Sequence, residues 1–151
     1  MEISKAVPSD VTEIIACAHA AYQIYVERIG KQPAPMTADF AALVESGVVY
    51  VGRDATGSLC GFAVFYPRGE SIHLENVAVA PDKQGHGYGR ALVAFVENRA
   101  RETGFAGIDL YTNEKMTENQ MMYPRLGFEE TGRRAEDGFN RVYYRKLLTM
   151  D

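Results

Sequence analysis

The sequence predicts an α/β fold: a mixed, mostly antiparallel sheet of six to seven strands with helices on both faces. Three observations carry this. Short segments of period-two apolar alternation lie towards both ends of the chain, separated by turn residues, which reads as hairpins. The middle of the chain reads strand, helix, strand, and a helical crossover makes its two strands parallel. The chain has 151 residues, 46% of them hydrophobic and 24% charged, which suits one globular domain spanning residues 1–151.

The elements follow in order. Ile3 to Val7 alternates as a first strand, and Pro8-Ser9-Asp10 turns the chain. Ser9 or Asp10 can cap a helix from Val11 to about Ile29, and Glu13 could complete a capping box with Asp10. Ile14, Ala18, Ala21, Tyr22, Tyr25 and Ile29 form its apolar face, and Gly30 stops it. Gln32 to Met36 is an extended connector, because each proline biases its predecessor away from helix. Thr37 would cap a helix from Ala38 to Glu45. Strands follow at Val48–Arg53 and Leu59–Tyr66, joined by the turn residues Asp54-Ala55-Thr56-Gly57. A turn at Pro67–Glu70 leads into a strand from Ile72 to Val79. The crossover helix spans Gly89–Thr103, and Gly107–Thr112 is the parallel strand. A short helix from about Glu118 should end or kink at Pro124. Phe128–Arg133 and Phe139–Leu148 are the last two strands.

The most informative stretch joins the Ile72–Val79 strand to the crossover helix. Gly85, Gly87 and Gly89 occupy every second position. The first N–H groups of a helix lack intrahelical partners, and the helix dipole is positive there. Glycines let an anion approach the backbone, so the natural ligand is a phosphate or pyrophosphate. The bland alternative is a tight turn without a ligand. A P-loop is excluded, since Gly87-Tyr88-Gly89-Arg90-Ala91 lacks Gly-Lys-Ser/Thr. A dinucleotide fingerprint remains a minor alternative. Position 90 is arginine where it needs glycine, and Pro81–Gln84 separates the strand from the glycines, although Asp109 lies about twenty residues on.

Gln84-x-x-Gly87-x-Gly89, preceded by Val77-Ala78-Val79-x-Pro81, resembles the acetyl-coenzyme A signature of the GCN5-related N-acetyltransferase (GNAT) family. Tyr123-x-x-Leu126-Gly127-Phe128 matches a second piece, in the family's order, and the resemblance extends from Ile3 to about Leu148. It implies a sheet whose two central parallel strands splay to admit the cofactor. It implies acetyl-CoA as co-substrate, its pyrophosphate held by the loop Gln84, Gly85, His86, Gly87, Tyr88, Gly89 and Arg90. The amides of Val77, Ala78 and Val79 would face the thioester, or else form an ordinary strand. Many members bear a carboxylate base at the position of Glu75; the alternative is a solvent-facing glutamate. His73 is a rival base by titration range, or a surface histidine.

Tyr123 is the candidate acid for the thiolate, since a tyrosine is protonated at neutral pH; packing in the core is the alternative. The family often has asparagine where Met116 stands, contacting the pantetheine arm, and Asn113 or Asn119 could substitute. Tyr22, Tyr25, Arg28, Met36 and Phe40 lie in the region that covers the acceptor side of the site in the family; core packing is the rival role for the tyrosines.

The implied activity is transfer of acetyl from acetyl-CoA to a primary amine by direct attack in a ternary complex. Its rivals are a transferase using another acyl-CoA and a non-catalytic acyl-CoA-binding module. The net charge of −4 argues against a nucleic-acid partner and is compatible with a cationic amine. Cys17 and Cys60 form no Cys-x-x-Cys or Cys/His cluster, so neither a disulfide framework nor a metal site is expected. No cysteine adjoins the glycine loop in sequence to take the acetyl group. The N-terminus has no apolar signal core and no apolar run could span a membrane, which makes cytoplasm the default compartment. A homodimer is compatible with such a fold.

Overall fold

The structure, a computed structural model, describes residues 1–148; the last three residues of the expected domain lie outside the described residues. Among the described residues the strands are β1 (Glu2–Lys5), β2 (Val49–Arg53), β3 (Leu59–Arg68), β4 (Ser71–Val79), β5 (Gly107–Asn113), β6 (Glu129–Glu136) and β7 (Phe139–Leu147). They form a seven-stranded sheet in the order β1-β2-β3-β4-β5-β7-β6. The β4–β5 pair is parallel, as the crossover requires, whereas β1–β2, β2–β3, β5–β7 and β6–β7 are antiparallel. The helices are α1 (Val11–Ile29), α2 (Phe40–Glu45), α3 (Tyr88–Glu102) and α4 (Thr117–Arg125). Among the described residues no helix is long and apolar enough to cross a membrane.

The chain packs as two compact units, and β3, β4 and α3 each contribute a part to both. The first comprises Met1–Phe65 and Asn76–Val96. Its core is apolar because α1 presents Ile14, Cys17, Ala18, Tyr22 and Tyr25 on one stripe, while Val49, Val51, Phe62, Val64, Leu92, Val93 and Val96 come from strands and α3. Phe40 meets Phe62 edge-on at 5.4 Å, and full burial of each ring contributes roughly 1.5–3 kcal/mol. Gly30 takes the left-handed conformation that ends α1, its N–H donating to Val26 O.

Two local expectations are corrected in this unit. Asp10 and Glu13 form no capping box, because both carboxylates accept from Arg53, at 2.7 and 3.0 Å; Asp10 also accepts the Val7 N–H. A tertiary ion pair has overridden the local cap. The second helix starts at Phe40, not Ala38, because Asp39 rather than Thr37 accepts the Ala42 N–H. The prolines leave room for one 3-10 turn, Ala34–Met36, which the Thr37 N–H closes, so the connector is not wholly extended.

The second unit comprises Tyr66–Glu75 and the chain from Glu97 onward. Its centre is the β5–β7 ladder, running from Gly107↔Leu147 to Asn113↔Arg141. Ile108, Leu110, Val142 and Tyr144 are buried along it. Pro124 neither ends nor excludes helix: α4 runs through it to Arg125, since a proline near a helix's last turn removes only one internal bond.

Candidate active site

The glycine loop is built from the end of β4. The Ala80 N–H donates to Cys60 O at 2.8 Å, one 3-10 turn (Pro81–Lys83) follows, and Lys83 Nζ pairs with Asp54 at 2.9 Å. Gln84 is extended, Gly85 and Gly87 have φ of 85° and 78°, and Gly87 O accepts the Ala91 N–H that opens α3. A Cβ at either glycine would meet nothing within 4 Å, so the fold needs glycine there for left-handed backbone rather than for space. Gly89 lies in the first turn of α3. Gln84, Gly85, His86, Gly87 and Arg90 are exposed, Tyr88 and Gly89 half-buried, and the His86 and Tyr88 rings are 5.7 Å apart. The surface here is therefore a helix N-terminus whose first-turn N–H groups have no intrahelical acceptor, the electrostatic setting for an anion.

The second half of β4 belongs to the same unit. Ala80 bonds to β3, and a Cβ on Gly61 would stand 2.3 Å from Ala78 O, so Ala78 and Ala80 face β3. By strand alternation, the backbone groups of Val77 and Val79 face the opposite edge. There the Tyr22 hydroxyl lies 3.0 Å from Val77 O and 2.5 Å from Asn76 Oδ1. A hydroxyl has one proton, so it serves both neighbours best when it donates to Val77 O and the Asn76 amide is turned to donate to it. Tyr22, a candidate acceptor contact, thus holds β4 from α1. The other candidates divide. Tyr25, Met36 and Phe40 are buried, whereas Arg28 is exposed with its guanidinium 5.2 Å from the centre of the Tyr25 ring.

Glu75 and His73 sit on the first half of β4, in the other unit. Glu75 is half-buried, and its Oε1 accepts the Tyr66 hydroxyl at 3.1 Å. Burial, then the Glu75 charge, push the Tyr66 hydroxyl up to about 12. Of the two readings of His73, rival base or surface histidine, the second is corrected: the side chain is 3% exposed, and its Nδ1 lies 2.7 Å from Asp109 Oδ1. Asp109, the acid of the dinucleotide alternative, thereby has one oxygen engaged by His73.

Tyr123 is placed by its own motif. Phe128 N–H donates to Tyr123 O and Gly127 N–H to Pro124 O, each at 3.1 Å, with Gly127 at φ 93°. That is a Schellman closure, and its hydrophobic contact is the Phe128 ring, 5.6 Å from that of Tyr123. Lys146 Nζ donates to Leu126 O at 2.8 Å and pairs with Glu97 at 2.9 Å. So Tyr-x-x-Leu-Gly-Phe is a helix stop that fixes the tyrosine. Its ring is buried against Phe128 and Tyr144, and burial pushes its hydroxyl well above the ordinary value near 10. Among the described residues that oxygen has no hydrogen-bond partner.

The two asparagines differ. Asn119 Nδ2 donates to Thr112 Oγ1 at 3.1 Å and lies 3.7 Å from Met116 Sδ, whereas Asn113 Oδ1 accepts the Lys115 N–H. Met116 is buried at the start of α4. Cys60 is nearer the loop than its place in the sequence suggests, because β3 pairs with the end of β4. Both thiols are buried, and burial pushes the Cys17 thiol up to about 12, which leaves it inert.

Sequence reasoning missed Tyr66 and Asp109 as partners of Glu75 and His73. The first is a contact across the hairpin of β3 and β4, the second a long-range one that only the register His73↔Asp109 would have indicated.

Residues 13–128 match the Acetyltransferase (GNAT) family. A mycothiol acetyltransferase of Propionibacterium freudenreichii subsp. shermanii is 33% identical over 132 residues; the match takes in 79% of this chain, which spans only 40% of that protein. The structure of the ribosomal-protein-S18-alanine N-acetyltransferase of Escherichia coli has a TM-score of 0.78 at 22% identity, covering 99% of this chain and 95% of that one. The paia N-acetyltransferase of Thermoplasma acidophilum, solved in complex with coenzyme A, also scores 0.78, at 16% identity over 97% and 98% of the two chains. The two structures speak for the fold. The family match spans most of the chain, from α1 through the glycine loop to the turn at Phe128, and on it this protein belongs to the GNAT acetyltransferase family.

Proposed function

We propose that this chain transfers acetyl from acetyl-CoA to a primary amine by direct attack. The observation that carries the reading is the loop at the start of α3, with Gly85 and Gly87 in left-handed conformation before a helix N-terminus, inside a family match. In this reading the loop residues from Gln84 to Arg90 hold the pyrophosphate. The edge amides of Val77 and Val79 serve the thioester and the oxyanion, stabilisation that acyl transfer depends on. Asn113 keeps a free amide for the pantetheine arm, since only its oxygen is engaged at Lys115.

Glu75 removes the amine's proton, because only the neutral amine can attack. Tyr123 donates to the departing sulfur. A thiol titrates near 8.5, well below a tyrosine pushed above 10, so donation of a hydrogen bond is favoured over complete proton transfer. With both thiols buried, no cysteine carries the acetyl group.

The acceptor class is a primary amine of a small molecule or a peptide. The test is coenzyme A release from acetyl-CoA with a peptide N-terminus, an amino acid, an amino-bearing antibiotic and a small amine as acceptors. Release above background with one of them is expected. Glu75→Gln should then lower kcat/KM on the order of 10²-fold, less at high pH where free amine is abundant. Tight acetyl-CoA binding without release for any amine would favour the binding-module reading.

A further inference from the structure

Glu75 stands at one end of a row of side chains from four strands of the second unit: Tyr66 on β3, His73 on β4, Asp109 and Tyr111 on β5, and Arg141 on β7. Parallel pairing sets His73 opposite Asp109, which is why their side chains meet. A buried imidazole without a partner would cost a desolvation penalty, and Asp109 supplies that partner at 2.7 Å. The bond fixes both the tautomer and the rotation of the ring. The imidazole lies 5.5 Å from the Tyr66 ring and 5.7 Å from the Tyr111 ring. Arg141, held by Asp137 at 3.3 Å, stacks over Tyr111 at 4.3 Å. The Tyr66 ring thus rests against an imidazole that Asp109 holds, and its hydroxyl reaches Glu75 Oε1.

We infer that Asp109, His73 and Tyr66 are positioning residues for Glu75: Asp109 locks the imidazole, the imidazole seats the Tyr66 ring, and the Tyr66 hydroxyl holds Oε1 so that Oε2 takes the amine's proton. The inference rests on the reading of Glu75 as the base. Tyr66 keeps its own proton throughout; only Glu75 gains one and then passes it to water. The charged groups around the row are Glu75 on β4, Arg68 on β3, Asp109 on β5, Arg145 across from it on β7, and Arg141 on β7 with Glu136 and Asp137 beside it, so His73 has an acid beside it and the base has a neutral donor.

The first measurement needs no acceptor. In the intact protein with 13C-labelled tyrosine, the Tyr66 ring signal is identified by its loss in Tyr66→Phe. It should shift in Glu75→Gln and also in Asp109→Asn, which touches Tyr66 only through His73. A signal unmoved in Asp109→Asn overturns the inference. The second is a double-mutant cycle with acetyl-CoA and the fastest amine of the panel. Tyr66→Phe should lower kcat about tenfold, as for a lost hydrogen bond to a charged group, with KM for acetyl-CoA and melting temperature held. Asp109→Asn should lower kcat about threefold alone and hardly at all in the Tyr66→Phe background.

Full multiplication of the two losses, or a Tyr66→Phe enzyme as fast as the parent, overturns the inference. If Asp109→Asn fails to fold, His73→Gln takes its place in the cycle. Failure of the base reading is separable: Glu75→Gln would then turn over like the parent, taking the inference with it. A slow Glu75→Gln beside an unaffected Tyr66→Phe defeats the inference alone.

Discussion

The chain uses left-handed glycine at both kinds of helix end, to opposite effect. Gly85 and Gly87, at φ 85° and 78°, precede the N-terminus of α3, where a Cβ would meet nothing within 4 Å. Gly127, at φ 93°, follows the C-terminus of α4, where a Cβ would stand 3.1 Å from Lys146 Cε. At α4 the helix carbonyls are closed off by Gly127, Phe128 and Lys146. At α3 the first-turn N–H groups keep their donor capacity. The same backbone conformation therefore serves in one place to leave donors open, and in the other to close acceptors and fix a side chain. An open end suits a ligand, and a closed end suits a residue whose position matters.

The largest effect should come from the residue that the closed end fixes. Tyr123→Phe keeps the ring between Phe128 and Tyr144 and removes the donor; kcat should fall on the order of 10²-fold. The melting temperature should hardly move. If Tyr123 only packs, Phe would be neutral for rate, and Tyr123→Ala would chiefly destabilise, by roughly 3 kcal/mol. Steady-state rates and melting curves of both variants decide.

Next is the open end. Gly87→Val should weaken acetyl-CoA by at least about tenfold, or about 1.4 kcal/mol. Strain alone would destabilise the variant too, so Gly57→Val is the control, an exposed hairpin glycine at φ 86° with equal space around it. Both should lose about 1–2 kcal/mol of stability, the cost of left-handed backbone for a residue with a Cβ. Only Gly87→Val should lose affinity by calorimetric titration; equal affinities would sink the phosphate-loop reading.

Gly127→Ala sharpens the contrast from the other side. It should lose about 1–2 kcal/mol to denaturant, from backbone strain and the displaced Lys146 side chain, with acetyl-CoA affinity kept. A variant as stable as the parent would show that the closure does not hold the turn.

The smallest effect is a pH dependence. Tyr66 titrates near 10 when unfolded and is pushed up to about 12 in the fold, and Tyr123 shifts the same way. The folded state holds these protons more tightly. The Tyr66 contribution to stability is full below about pH 10 and is lost as pH rises from there towards about 12. Tyr66→Phe should therefore decline less steeply than the parent in urea denaturation between about pH 9 and about pH 11. Parallel declines would count against the Tyr66–Glu75 contact.

Local pattern and tertiary structure divided the decisions between them. Local chemistry was enough for the element order, the glycine loop and the turn at Gly127, while α4 ran past the stop expected at Pro124. The loop and the turn rest on contacts a few residues long, Gly87 O to Ala91 N–H and Phe128 N–H to Tyr123 O. The exceptions were local devices captured by distant partners: Asp10 and Glu13 went to Arg53, across about forty residues of chain. The candidate site was legible at Gly85, Gly87 and Tyr123, because those positions announce themselves by backbone demand or motif.

What only tertiary structure decided is which side chains meet. Sheet register set His73 against Asp109 and so made a buried pair of a residue that reads as a surface histidine. The packing of α1 on β4 put the hydroxyl of Tyr22, a candidate acceptor contact, on Val77 O. The β3 strand brought Cys60 to the end of β4 and Tyr66 to Glu75. Periodicity shows which face of a strand is buried, but a shift of register by two residues keeps that pattern of faces while changing every partner across the sheet. That is why the sequence carries the faces and the turns of this protein, and only the folded chain carries its pairs.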